Sequence, residues 1–240
     1  HMPNQKSSWT SRDWGNPHLI KNFCLKYIEF AEISLDHGIR PVFSPLYPGG
    51  DYWDMAFLKT CASFLADHAS NRVINNLTFS AYGWDFGKPL DWGAGGPSVW
   101  PRANAYHRNI DTEDQCGFRA YEWHLAAVES VFQRKFPFHL LQIGLPCALE
   151  NPSFHDFQPN IPKQEAIMQL LKRENVYSKQ EPERLLCHIP DEVLSGNFYL
   201  LTSSDQQDEY FKWFSTEGDA LPPAQAYAIR HQLFHQSTQE

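Results

Sequence analysis

Four short apolar runs alternating with helix-length amphipathic segments constrain this chain more than any other feature. The runs are Ile39 to Leu46, Val73 to Tyr82, Phe138 to Leu145 and Asn197 to Thr202. The segment after Asn16-Pro17 carries Ile20, Phe23, Cys24, Tyr27, Ile28 and Ala31 at three- and four-residue spacing and stops at Gly38, which reads as a helix. A second helix is expected from Asp51, with Met55, Leu58, Cys61 and Leu65 on one side. Further helices are expected over Gly117 to Gln133, Lys163 to Arg173 and Pro222 to Phe234. Strands alternating with helices at this spacing predict βαβ units and a parallel sheet. In such folds ligands bind at the carboxyl ends of the strands. The loops Tyr47 to Asp51, Tyr82 to Trp100, Leu145 to Asp156 and Ser203 to Trp213 should therefore converge on one face.

Leu77 to Trp100, reading LTFSAYGWDFGKPLDWGAGGPSVW, is the most unusual of these regions. A β-rich run ends there in a loop crowded with aromatic, acidic and glycine residues. Tyr82, Trp84, Trp92 and Trp100 offer flat apolar faces and Asp85 and Asp91 offer acceptors, while Gly93, Gly95 and Gly96 free the backbone. Such a surface suits a sugar or a similar polar ring. The same residues also read as core plugs in a long loop shaped by its glycines.

Composition removes several function classes. The net charge of −8 argues against a nucleic-acid partner, which requires a basic face to neutralise phosphates. No apolar run reaches the length of a membrane span, and the N-terminus lacks the order of a signal peptide, so a cytoplasmic protein without a membrane partner is expected. The five cysteines show no CxxC spacing, which speaks against both a disulfide framework and a zinc site. No Walker loop, GxGxxG or GxSxG motif occurs, and no cofactor is expected. The 240 residues read as a single domain, with residues 1–14 expected to be flexible or tag-derived.

RPVFSPLYPGGDYW, LTFSAYGWDFG, FHLLQIGLP and NFYLLTSSDQQDEYFKWFSTEG, taken in order, resemble strands five to eight of a (β/α)8 TIM barrel of the retaining glycosidase superfamily, clan A-like. The resemblance covers roughly Asn16 to Phe234 and is architectural. It implies an α/β, TIM-barrel-like fold with about four βα units, a half barrel, and a carbohydrate site lined by Tyr82 or Trp84 and by Trp213. A complete barrel takes about 250 residues. The resemblance also implies two catalytic Glu residues, and neither is evident. The seventh-strand position falls near Gly144 or Leu145, and Trp14-Gly15-Asn16-Pro17 stands where an Asn-Glu pair would be.

The expected site follows from these readings. Glu150 and Asp85 are the candidate catalytic carboxylates, because retaining hydrolysis needs two carboxyl groups about 5 Å apart. Tyr47, Asp51, Tyr82, Trp84, Asp91, Trp92 and Trp213 are the candidate ligand-binding residues. Asp51 also reads as a helix cap, and Asp85 and Asp91 as loop-holding residues. Glu122 and His124 flank Trp123 in a helix and read as a solvated face. His107, His155 and Asp156 lack metal-ligand spacing. The function expected is carbohydrate binding or processing, the alternative being a non-catalytic interaction protein on a degenerate glycosidase scaffold. Four strands also leave an inner sheet face, assigned here to Phe43, Phe79, Leu141 and Phe198, without a partner layer. A homo-oligomer, or a partner that completes the barrel, is therefore expected.

Overall fold

The computed structural model describes residues 2–103, 112–145, 161–199, 213–214, 216–220 and 224–225. In chain order its elements are α1 (Ser11–Trp14), α2 (Leu19–Asp36), α3 (Asp54–His68), α4 (Asn71–Asn76), β1 (Phe79–Tyr82), α5 (Gly96–Val99), α6 (Ala120–Phe132), β2 (Phe138–Ile143), α7 (Ile161–Leu171) and β3 (Val193–Phe198). The strands form a parallel sheet in the order β1-β2-β3. A single parallel bridge, Val42 to Thr78, sets the proline-interrupted run beside β1. This is an α/β fold with a three-stranded parallel sheet, open among the described residues and flanked by helices. The expected alternation of strand and helix is present, and a closed barrel is not part of the described structure. The expected helix over Pro222 to Phe234 lies outside the described residues.

Several element boundaries differ from the sequence reading, each for a local reason. Ser70 caps α4 by accepting a hydrogen bond from the Val73 N–H at 3.2 Å, so the apolar residues Val73 and Ile74 start a helix and β1 begins only at Phe79. The Ile39 to Leu46 run contributes one bridge because Pro41 and Pro45 have no N–H to donate to a ladder. The strand expected over Asn197 to Thr202 begins earlier, as Val193–Phe198, and residues 200–202 lie outside the described residues. In it Leu194 is the extra residue of a bulge, since Phe138 pairs Val193 while His139 pairs Ser195. Helix α3 begins at Asp54 behind Trp53, so Asp51 is not its cap.

The phenylalanine surplus builds the layer between sheet and helices. Phe43 meets Phe23 at 5.7 Å, Tyr27 at 5.2 Å and Phe79 at 5.5 Å, and Phe79 stacks on Phe138 at 5.5 Å. Offset or edge-on aromatic pairs of this kind add about 0.5–1.5 kcal/mol each beyond area burial. Phe43, Phe79 and Phe198 therefore face the helices, and of the four residues assigned to an uncovered face only Leu141 packs elsewhere. Side chains alternate along a strand, so the opposite side of the sheet receives Ser80 and Tyr82 from β1 and His139 and Leu141 from β2. Close approach of α7 to β3 depends on Gly196, where an added Cβ would lie 2.8 Å from Leu171 Cδ1.

Residues 2–14, expected to be loose, are held by specific bonds. Asn4 is buried, donates to the Tyr47 carbonyl at 2.7 Å and accepts from the Tyr47 N–H at 2.8 Å. Trp9 donates its indole N–H to Pro3 O at 2.8 Å. Asp51 accepts from the Lys6 N–H at 2.8 Å. His124 is not on a solvated face. It is buried on α6, with Nε2 2.9 Å from Asp54 Oδ2 on α3, and the same Asp accepts from the Gly49 N–H. Removing one member of a buried pair typically costs about 3–5 kcal/mol. Asp54→Ala is therefore expected to lower the unfolding free energy by about 3 kcal/mol, seen as a lower urea midpoint. An unchanged midpoint would show that α3 and α6 do not depend on the pair.

Candidate functional site

Each strand end in the described structure delivers an aromatic or long side chain to one cluster. Tyr47 follows the bridged run, Tyr82 ends β1, Trp84 and Phe86 follow it, Leu141 and Leu145 come from β2 and its end, and Tyr199 follows β3. Trp84 is the centre of this layer. Its ring stacks on Tyr82 at 4.4 Å and 17°, meets Tyr47 edge-on at 5.4 Å and Phe86 at 6.0 Å. Its indole N–H donates to Gln142 Oε1 at 3.1 Å. Trp84 has no exposed surface and Tyr82 almost none, so the surface of the layer belongs to Tyr47, Phe86, Gln142 and Tyr199, which are half-buried.

The backbone beneath this layer is unusual. Gln142 has φ 50° and Phe86 φ 52°, left-handed conformations that cost a non-glycine residue roughly 1–3 kcal/mol and cluster at functional sites. Gly83 sits between Tyr82 and Trp84, where an added Cβ would lie 2.4 Å from Ile143 Cγ2. Only a residue without a side chain lets the chain leave β1 this close to β2.

Asp85 lies beside the layer but is already engaged. Its carboxylate accepts from the Gly87 N–H at 2.6 Å and stands 3.1 Å from Lys163 Nζ, with almost no exposure. Burial pushes the Asp85 carboxyl above its ordinary range, and the Lys163 charge and the Gly87 N–H pull it back only in part. Lys163, in the first turn of α7, also donates to the Lys88 carbonyl at 3.1 Å. The pair thus ties the loop after β1 to α7.

Trp92 and Asp91, also expected in the site, are not among the residues of this layer. Trp92 donates to Asp114 Oδ1 at 3.0 Å, with Lys88 Nζ 4.9 Å from its ring centre. Asp91 pairs with Arg184 at 3.3 Å. Trp100 and Trp123 donate to Ala94 O and Gly93 O, and Glu122 accepts from the Gly95 N–H, so the glycine-rich loop is fixed onto α6. Trp213 packs on Phe198 at 4.9 Å, beside the end of β3. Glu150 lies outside the described residues, as do His107, His155 and Asp156. Among the described residues no group of three or more His, Cys, Asp or Glu side chains could hold a metal. No helix of the described residues is long and apolar enough to cross a membrane.

The sequence reading missed Gln142, Lys163 and Arg119. Gln142 and Lys163 carry no motif, and Lys163 is 78 positions from Asp85 along the chain. Arg119 is fully buried and donates to Leu90 O at 3.1 Å, Tyr121 Oη at 2.8 Å, Glu122 Oε1 at 2.9 Å and the Cys187 carbonyl. A lone Arg at the start of a helix gives no linear sign of such a role.

The Asp85 environment has a pH signature. A carboxyl whose folded pKa lies above its unfolded value stabilises the protein fully below the unfolded pKa and loses that contribution as pH rises through the folded pKa. Lys163→Met removes the neighbouring charge that offsets burial and raises the folded value further. The substitution is expected to cost about 1–3 kcal/mol more at pH 7 than at pH 4, measured by urea unfolding at the two pH values. Equal losses at both would show that the Lys163 charge does not act on Asp85.

Comparison of the chain with protein-family models, with curated proteins and with solved structures gives no match.

Proposed function

We propose that this chain is a carbohydrate-binding domain on a glycosidase-like (β/α)8-type scaffold, taking its ligand at the carboxyl ends of the strands. The observation that carries this reading is the single aromatic layer assembled from successive strand ends, with Tyr47 and Phe86 partly open around a buried Trp84. Aromatic faces bind the apolar faces of sugar rings, and a neighbouring amide such as Gln142 supplies donors and acceptors for hydroxyls. The left-handed backbone at Phe86 and Gln142 supports a site at this place.

Binding without turnover is favoured over hydrolysis. Retaining hydrolysis needs two carboxyl groups about 5 Å apart. Asp85 is taken up by Lys163 and Gly87, and Asp51 by the Lys6 N–H. Tyr47→Ala and Phe86→Ala are expected to weaken oligosaccharide binding by roughly tenfold each, about 1.4 kcal/mol, monitored through the tryptophan fluorescence of Trp84 in a panel of neutral oligosaccharides. Robust hydrolysis of activated aryl glycosides, or binding untouched by both substitutions, would overturn the reading.

The scaffold reading also includes closure of the sheet by strands from a second copy or a partner chain. Val42 and Leu194 are exposed, and a parallel sheet is normally covered on both faces. Light scattering at micromolar concentration is expected to give a mass above the 27.8 kDa of one chain. A monomeric mass with a sharp thermal transition would remove this part of the reading.

A further inference from the structure

A cleft of about 260 Å³ lies between the N-terminal segment and the first turns of α2. Trp9, Leu19 and Leu25 give it an apolar lining, and Asp13, Asn16, Asn22 and Lys26 give it polar groups. The chain's own bonds fix this lining. The Trp9 indole N–H donates to Pro3 O at 2.8 Å, and its ring meets Phe23 edge-on at 6.3 Å. Asp13 accepts from the Thr10 hydroxyl at 2.6 Å. The turn into α2 is closed by the Asn16 N–H on Asp13 O at 3.1 Å and the Leu19 N–H on Asn16 O at 3.0 Å, while Asn16 Oδ1 accepts from the His18 N–H at 2.8 Å. A site already in shape loses less to ordering when a ligand enters.

Size and chemistry narrow what the cleft can take. Its volume is below the roughly 300 Å³ at which sites for drug-sized ligands begin, which leaves room for one ring. The lining holds one carboxylate, Asp13, and one ammonium, Lys26. The charged residues beside it in sequence, Arg12, Lys21 and Glu29, are exposed and also of both signs. An anion here meets Asp13 and a cation meets Lys26, so neither is selected. The polar groups instead suit hydroxyls, which donate and accept: the Asn16 and Asn22 amides can do both, Asp13 accepts and Lys26 donates. An indole beside two leucines suits the apolar C–H face of a pyranose.

We infer that this cleft is a second carbohydrate site, taking one neutral pyranose ring with its apolar face toward Trp9 and its hydroxyls on Asn22 and Asp13. The inference rests on the carbohydrate reading above and adds a place to it. Tyr47, Phe86 and Gln142 of the strand-end layer do not line this cleft.

Titration of the whole chain with methyl glucoside, methyl galactoside and methyl mannoside, followed by amide and indole N–H NMR, tests the inference. At least one is expected to shift the Trp9 indole together with Asp13 to Asn16 and Asn22 to Lys26. Asn22→Ala, at an exposed position of α2, should lose roughly fivefold in affinity for that sugar with an unchanged thermal midpoint. Trp9→Ala should lose roughly tenfold, and Trp9→Phe, which keeps a flat ring, should restore most of it. Sodium glucuronate and glucosamine are expected to bind no more tightly than the neutral sugars. Full affinity in Asn22→Ala, or a roughly tenfold preference for either charged sugar, would overturn the inference. Neutral oligosaccharides that shift Tyr47 and Phe86 while no sugar shifts the cleft would remove this site and leave the strand-end reading intact. The reverse pattern would remove the strand-end reading and keep the cleft, and no shift at either place would overturn both.

Discussion

A guanidinium that is fully buried must have its donors met by fixed acceptors, and Arg119 meets that demand by drawing three parts of the chain together. Leu90 O comes from the loop after β1, Tyr121 and Glu122 from α6, and the Cys187 and His188 carbonyls from the segment that precedes β3. Burial pushes the Tyr121 phenol well up, so it stays a neutral partner beside the charge. Leu90 and Cys187 are thereby held to one side chain. The aromatic loop is therefore tied to α6 by a charge network as well as by packing.

The strand-end layer depends on a different constraint, the close spacing of β1 and β2 at Gly83. A side chain there would run into Ile143, and the path to Trp84 would open. With the strands this close, Trp84 fits beneath Tyr47 and beside Tyr82, and Gln142 takes a left-handed turn that brings its amide to the indole. The N-terminal segment adds to the same end of the sheet: Asn4 clasps Tyr47, and Met2 packs into the layer.

Beside the strand-end layer the carboxylate of Asp85 is enclosed and matched with Lys163. That ion pair joins α7 to the loop that carries Phe86.

The sequence by itself determined the alternation of strand and helix, the parallel sheet, α2, α6 and α7 to within a few residues, and the position of Tyr47, Tyr82 and Trp84 at the ends of apolar runs. These follow from local periodicity, and neighbours along the chain carry that signal. Only the tertiary structure decided that Trp84 is enclosed while Tyr47 and Phe86 stay partly open, that Trp92 and Trp100 hold a loop, and that His124 meets Asp54. It also decided which sheet face Phe43, Phe79 and Phe198 take. Alternation tells which residues share a face but not which face the helices cover, and burial of a polar group is settled by partners 70 residues away, as His124 and Asp54 are. The charge matching of Asp85 by Lys163 has the same origin: a long-range pair leaves no mark in the spacing of either residue.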